Sequence, residues 1–171
     1  MKQGMFIISL SIISILAICQ GNYQDIEKSI HSGRFEEAEY EINIQFDQDS
    51  LNSMLYYYKG LVFDSLRQDD YALLNYKKSI SIDSNLIDPY FAIGELYYRQ
   101  AHNYIIQFKY MGYPEDEVKA IQSKQNHYFI KALPFYEKAF IINNNDSIIK
   151  HRLIESYSRL NMKELLQKIK K

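Results

Sequence analysis

Any chemistry done by this chain would have to come from its histidines, its single cysteine or a pairing of carboxylates, and their spacing does not favour it. His31, His102, His127 and His151 are scattered. None sits in a His-x-x-x-His or Glu-flanked arrangement that puts two ligands on one helix face. His102 and His127 are the one pair that folding could bring to a similar height, as a two-histidine metal site. No glycine-rich phosphate loop, nucleophile elbow or paired-carboxylate signature is present. Cys19 is the only cysteine, so neither an intramolecular disulfide nor a cysteine-based zinc site can form. The chain therefore reads as non-catalytic, with no catalytic residue, no metal and no cofactor expected.

Composition points the same way. The 20 Lys and Arg are balanced by 21 Asp and Glu, without the basic excess that phosphate backbones require for counterion release. Nucleic acid is not an expected partner. The 16 Tyr and 9 Phe, with no Trp, suit half-buried seams between helices and exposed contact surfaces alike. At 171 residues and 47% hydrophobic, the chain is one domain's worth with ample material for a core. What remains is a protein that binds a protein or peptide.

The first nineteen residues differ from the rest. Lys2 precedes an uncharged apolar run from Met5 to Cys19, which has the character of a signal-peptide core and is short for spanning a bilayer of about 30 Å. Residues 1–19 are therefore expected to be a cleaved signal peptide, with Gln20 as the new N-terminus and the mature chain periplasmic or secreted. The alternative is that Leu16-Ala17-Ile18-Cys19, which resembles the lipobox of bacterial lipoproteins, makes Cys19 a lipidation site and the protein a membrane-anchored lipoprotein. Ile18 departs from the small residue that motif prefers. On either reading the membrane is touched only through a lipid anchor or an uncleaved leader.

The elements that must position any site show a period. Ser32-Gly33-Arg34-Phe35-Glu36-Glu37-Ala38 matches the turn and helix start of Arg67-Gln68-Asp69-Asp70-Tyr71-Ala72, and Ala38 and Ala72 are 34 residues apart. Tyr56, Gly60, Phe63, Ala72, Tyr76 and Ser79 are followed by Tyr90, Ile93, Gly94 and Tyr97, again 34 after their counterparts, and then by Ala132, Tyr136 and Ala139. Ile26, Gly33, Ala38 and Ile42 mark a weaker first unit; Leu153, Tyr157, Leu160 and Leu166 mark a last one. Turn signals fall at Ser32-Gly33, Asp83-Ser84-Asn85, Gly112-Tyr113-Pro114 and Asn143-Asn144-Asn145-Asp146, with helical spacing between them and no strand pattern. These residues resemble the tetratricopeptide repeat, whose period is 34. The resemblance implies an all-α, right-handed superhelical stack of antiparallel helix hairpins, an α-solenoid over residues 20–171 with units at 20–50, 53–86, 87–146 and 147–171. Small residues at Gly60, Gly94, Ala38, Ala72, Ala132 and Ala139 allow close helix approach, and stacking buries what each hairpin alone cannot.

One unit breaks the period, because Tyr97 to Ala132 holds 26 residues more than Phe63 to Ala72. Ala101, Tyr104, Ile105 and Phe108 continue a helical spacing outward, Gly112-Tyr113-Pro114 turns, and Val118, Ile121, Tyr128 and Phe129 return. The acids Glu115, Asp116 and Glu117 favour a helix start there. An extended hairpin over 98–128 is expected, each limb longer by roughly 13 residues, or about 20 Å at 1.5 Å per residue. Pro134 predicts a kink or break in the returning helix. The arm reads either as self-packed or as a docking arm.

The repeat resemblance also implies a ligand groove, lined by fixed positions of the first helix of each hairpin. Carried over, these are Tyr57, Leu61 and Asp64; Phe91, Glu95, Tyr98 and Arg99; and His151, Glu155 and Arg159. Tyr57 and Leu61 stand where chaperone-binding members carry a Lys and an Asn for a C-terminal carboxylate, so that ligand is not implied. Aromatic anchors ringed by charge suit an extended peptide or partner helix. The expected function is a non-catalytic interaction module or scaffold outside the cytoplasm. The alternative is a structural component of the cell envelope that assembles through the extended hairpin.

Overall fold

The computed structural model describes residues 23–110 and 114–170, with side chains at all of these except 105–110. The leader, Cys19, the Gly112-Tyr113 turn and the side chains of Ile105 and Phe108 lie outside the described residues. Every regular element described is a helix: α1 (23–31), α2 (Phe35–Gln48), α3 (Ser53–Ser65), α4 (Asp69–Ile82), α5 (Ile87–Tyr110), α6 (Glu115–Ile142), α7 (Ser147–Arg159) and α8 (Lys163–Ile169). The architecture is the all-α hairpin order of a tetratricopeptide-like solenoid. Among the described residues no helix is long and apolar enough to cross a membrane. The chain divides into two compact units whose boundary falls between Asn75 and Tyr76, inside α4.

Two turn types recur, and their spacing shows the repeat in the backbone itself. The turn within a hairpin has one residue in the left-handed region: Gly33 (φ 71°), Arg67 (φ 59°) and Asn161 (φ 56°). At each, this residue's N–H reaches the carbonyl three back and the next residue's N–H reaches five back, as in Arg67 to Asp64 and Gln68 to Phe63. That is the Schellman closure of a helix end. The turn between hairpins is an Asx turn: Asp49, Asp83 and Asn143 accept through Oδ1 from the N–H of Leu51, Asn85 and Asn145. Asp49 and Asp83 are one period apart, and Asn143 follows after a period plus the 26-residue insertion. Asn52 and Asp146 then cap α3 and α7, each accepting from two first-turn N–H groups.

In the first unit Ile26, Ala38, Ile42, Leu55, Tyr58 and Val62 form a buried cluster of α1, α2 and α3. In the second, Ala132, Leu133, Tyr136 and Ala139 of α6 meet Tyr90 of α5 and Ile149, Leu153 and Tyr157 of α7. The repeat alanines Ala38, Ala72, Ala132 and Ala139 all have no exposed surface, because a larger side chain there would hold neighbouring helices apart. Gly94 serves the same end more tightly. A Cβ built on it would lie 2.5 Å from Cε1 of Tyr136, so α5 and α6 pass close only because residue 94 has no side chain.

The insertion lengthens both helices of its hairpin. α5 has 24 residues and α6 has 28, against 13 and 14 for α3 and α4. At 1.5 Å per residue the excess is about 16 Å and 21 Å. The limbs are joined by their own aromatics: Tyr104 stacks on Tyr128 at 5.7 Å, and the Lys131 ammonium sits 5.6 Å from the Tyr97 ring and 5.5 Å from that of Tyr128. The expected break at Pro134 does not occur, and α6 runs through it as one helix. Pro134 lies on the exposed face beside exposed Ile130 and Lys131, where losing one helical hydrogen bond is least costly because water can replace it.

Candidate functional site: the face of α5 and α7

Glu95 and Tyr98 lie one turn apart on α5, as do Arg152 and Glu155 on α7, so each pair shares one helix face. Packing of α6 between these helices brings the two faces together. Arg152 donates to both oxygens of Glu95, from Nε at 2.6 Å and from a terminal guanidinium nitrogen at 3.0 Å. This two-point geometry fixes both side chains. The same guanidinium lies 4.2 Å from the Tyr98 ring centroid, a cation–π contact. Tyr98 donates its hydroxyl to Glu155, and Tyr136 from α6 donates to Glu95 at 2.6 Å. The His102 ring lies tilted against that of Tyr98 at 4.1 Å with Nε2 3.6 Å from Glu155, and Arg159 approaches Glu155 at 4.0 Å.

The electrostatics follow from this wiring. Burial, then the hydrogen bond and charge of Glu155, push the Tyr98 hydroxyl well above the ordinary tyrosine range. Burial and the Glu95 carboxylate do the same for Tyr136. The hydrogen bonds from Arg152 to Glu95 hold the guanidinium charged in spite of partial burial. Across the neutral range these three groups therefore stay fixed donors.

The sequence-derived groove positions are distributed as follows. In the second unit Glu95, Tyr98 and Glu155 are in the network, and Phe91 is half-buried with its ring against Tyr136 at 5.9 Å. Arg99 is half-exposed, while His151 and Arg159 are exposed. In the first unit Tyr57 and Leu61 are half-buried against the core, and Asp64 is half-buried near the end of α3. His102 belongs with Tyr98, Phe129 and Glu155, while exposed His127 lies edge-on to Tyr128. Among the described residues no group of three or more His, Cys, Asp or Glu side chains is placed to hold a metal ion.

Arg152, the centre of the network, is absent from the sequence-derived set. A signal for it does exist. Glu27, Leu61, Glu95 and Glu155 occupy one repeat position, and in the first unit Tyr58 donates to Glu27 at 2.5 Å. Tyr58 follows Glu27 by 31 residues, and Arg152 follows Glu95 by 31 plus the 26-residue insertion. The same contact, a donor on one hairpin's first helix to a glutamate on the preceding one, thus recurs within each unit.

No protein family matches the chain, and no curated protein does. Among solved structures it is similar to the type III secretion chaperone SycD of Yersinia enterocolitica in complex with a peptide of the translocator YopD, at 16% identity and TM-score 0.49, covering 90% of this chain and 93% of that one. It is also similar to PilF of Pseudomonas aeruginosa, at 14% identity and TM-score 0.45 over 88% and 72%, and to MamA of MSR-1, at 13% identity and TM-score 0.40 over 87% and 92%.

Proposed function

We propose that this chain is a non-catalytic binding module that holds a protein or peptide partner against the α5–α7 face. The observation that carries the reading is the pinned seam of Glu95, Tyr98, Arg152 and Glu155, flanked by exposed His151 and Arg159. Its side chains hold one another by hydrogen bonds and a cation–π contact, which lowers the entropic cost a partner would bear in fixing them. Alternating acid and base beside aromatic rings match a polar peptide with apolar anchors. By repeat register, Tyr57, Leu61 and Asp64 are the corresponding positions of α3. Export rests on the leader at 1–19 alone, with lipidation at Cys19 as its alternative form.

The experiment is substitution at exposed and half-buried positions, read by partner capture and helix content together. Arg159→Glu and His151→Ala should reduce capture several-fold with the fold intact, whereas Tyr57→Ala, Phe91→Ala and Tyr98→Ala should reduce capture at some cost in stability. Unchanged capture in Arg159→Glu and His151→Ala, with loss only where the protein unfolds, would remove the face from the account.

A further inference from the structure

Charge is unevenly distributed along the chain. Residues 147–171 carry seven Lys and Arg against two Asp and Glu, whereas residues 23–146 carry twelve against nineteen. Within the basic segment the two arginines of α7 face carboxylates, Arg152 bonding both oxygens of Glu95 and Arg159 lying beside Glu155. The bases that α8 turns to solvent are all lysines. Lys163, Lys168 and the capping residue Lys170 are exposed, with Glu164 as the one acid among them. α8 has no buried residue. Leu165, exposed beside Lys168, and exposed Ile141 of α6 border one open groove, whose acid, Glu137, already accepts from the Tyr157 hydroxyl.

We infer that the α8 end of the second unit rests on an anionic lipid surface. A surplus of lysines beside exposed aliphatic side chains is the composition of an interfacial contact: the ammonium groups meet negative headgroups, and the aliphatic groups enter the boundary beneath them. Residue type separates this occupant from an acidic protein. A guanidinium presents a rigid fork that matches one carboxylate at a fixed position, whereas an ammonium is a point charge on a flexible stem, suited to a diffuse layer of charge with no fixed geometry. The chain uses arginine where the fold fixes a carboxylate, at Glu95, and lysine on the solvent side of α8. This surface is separate from the α5–α7 face, and its occupant is independent of any partner held there.

The test is co-sedimentation of the purified full chain with vesicles of phosphatidylcholine alone and of phosphatidylcholine mixed with phosphatidylglycerol, with helix content as the folding control. At low salt the mixed vesicles should bind at least about tenfold more tightly, and high salt should remove the difference. Lys163→Glu, Lys168→Glu and Lys170→Glu together should abolish the preference. Lys77→Glu, Lys119→Glu and Lys124→Glu together change the net charge equally at exposed positions of α4 and α6 and should leave it. Because vesicle types and variants are compared with each other, the apolar leader contributes equally to every arm. The inference is overturned if the two vesicles bind alike or not at all, if the lysine triple keeps the preference, or if the control triple loses it as well. Binding to soluble polyglutamate without binding to the mixed vesicles would also overturn it, by assigning the lysines to an acidic protein.

Discussion

Gly94→Ala places the close passage of α5 and α6 under direct test. The added Cβ would lie 2.5, 2.7 and 2.9 Å from Cε1, Cδ1 and Cζ of Tyr136, whose side chain has no exposed surface and so has nowhere to swing. Overpacking of this kind costs about 1–3 kcal/mol. Shifting the ring also loosens the hydrogen bond from Tyr136 to Glu95, and a bond to a charged group contributes about 1.5–3 kcal/mol. Against this, alanine in a helix interior is favoured over glycine by about 1 kcal/mol. The net is a destabilisation of about 2–4 kcal/mol, or a fall in Tm of about 5–15 °C for a chain of this size. Urea unfolding followed by circular dichroism measures it. Tyr136→Leu in the same chain should recover part of the loss, with a coupling of at least about 1 kcal/mol, whereas Tyr136→Phe keeps the ring and should not. A Gly94→Ala variant more stable than wild type would show that propensity alone acts at this position and would refute the close passage.

Three further outcomes follow from local geometry. Arg67→Gly should stabilise the protein by about 0.5–1 kcal/mol, since a left-handed residue with a Cβ carries strain that glycine lacks; a loss of stability in thermal unfolding would contradict the turn assignment. Asp146→Ala removes the acceptor for the N–H groups of Ile148 and Ile149 and should cost about 1 kcal/mol in urea, while Asp146→Asn should retain most of it. In alkali, Tyr98, Tyr136 and Tyr157 are all raised by burial and by their glutamate partners. The unfolded chain sheds tyrosine protons above pH about 10 while the fold retains them, so stability is undiminished below that pH and falls as pH rises beyond it. Tyrosinate absorbance should therefore appear in two stages, the second coinciding with loss of helix. A single free-tyrosine step with helices intact would count against the buried hydroxyls.

The elements most legible from the sequence are those set by short-range chemistry at a fixed period. Ala38 and Ala72 announce the repeat because close helix approach admits only small residues there, and the 26-residue excess before Ala132 announces the long hairpin. Arg67 and Asn161 were less legible as turn residues, since neither is the glycine that a left-handed position usually calls for; their role shows only through alignment with Gly33. Pro134 does not end the helix, because the cost of a proline depends on whether its side of the helix meets solvent. Arg152 was hidden for a different reason. Its partner Glu95 is 57 residues away, across an insertion, and pairing between successive hairpins leaves no local pattern. Only the register shared by Glu27 and Glu95, each with its donor on the next hairpin, carries that information.

The central claim is that the α5–α7 face holds a partner protein. Site-specific photo-crosslinking in the native host tests it most directly, with the reactive residue placed in turn at His151 and Arg159 and, as a control, at Lys138, a residue of α6 in the same unit. The account predicts one discrete crosslinked product from positions 151 and 159, absent from position 138 and lost from position 151 when Arg159→Glu is added. No product at either position, or the same product from position 138, would contradict it.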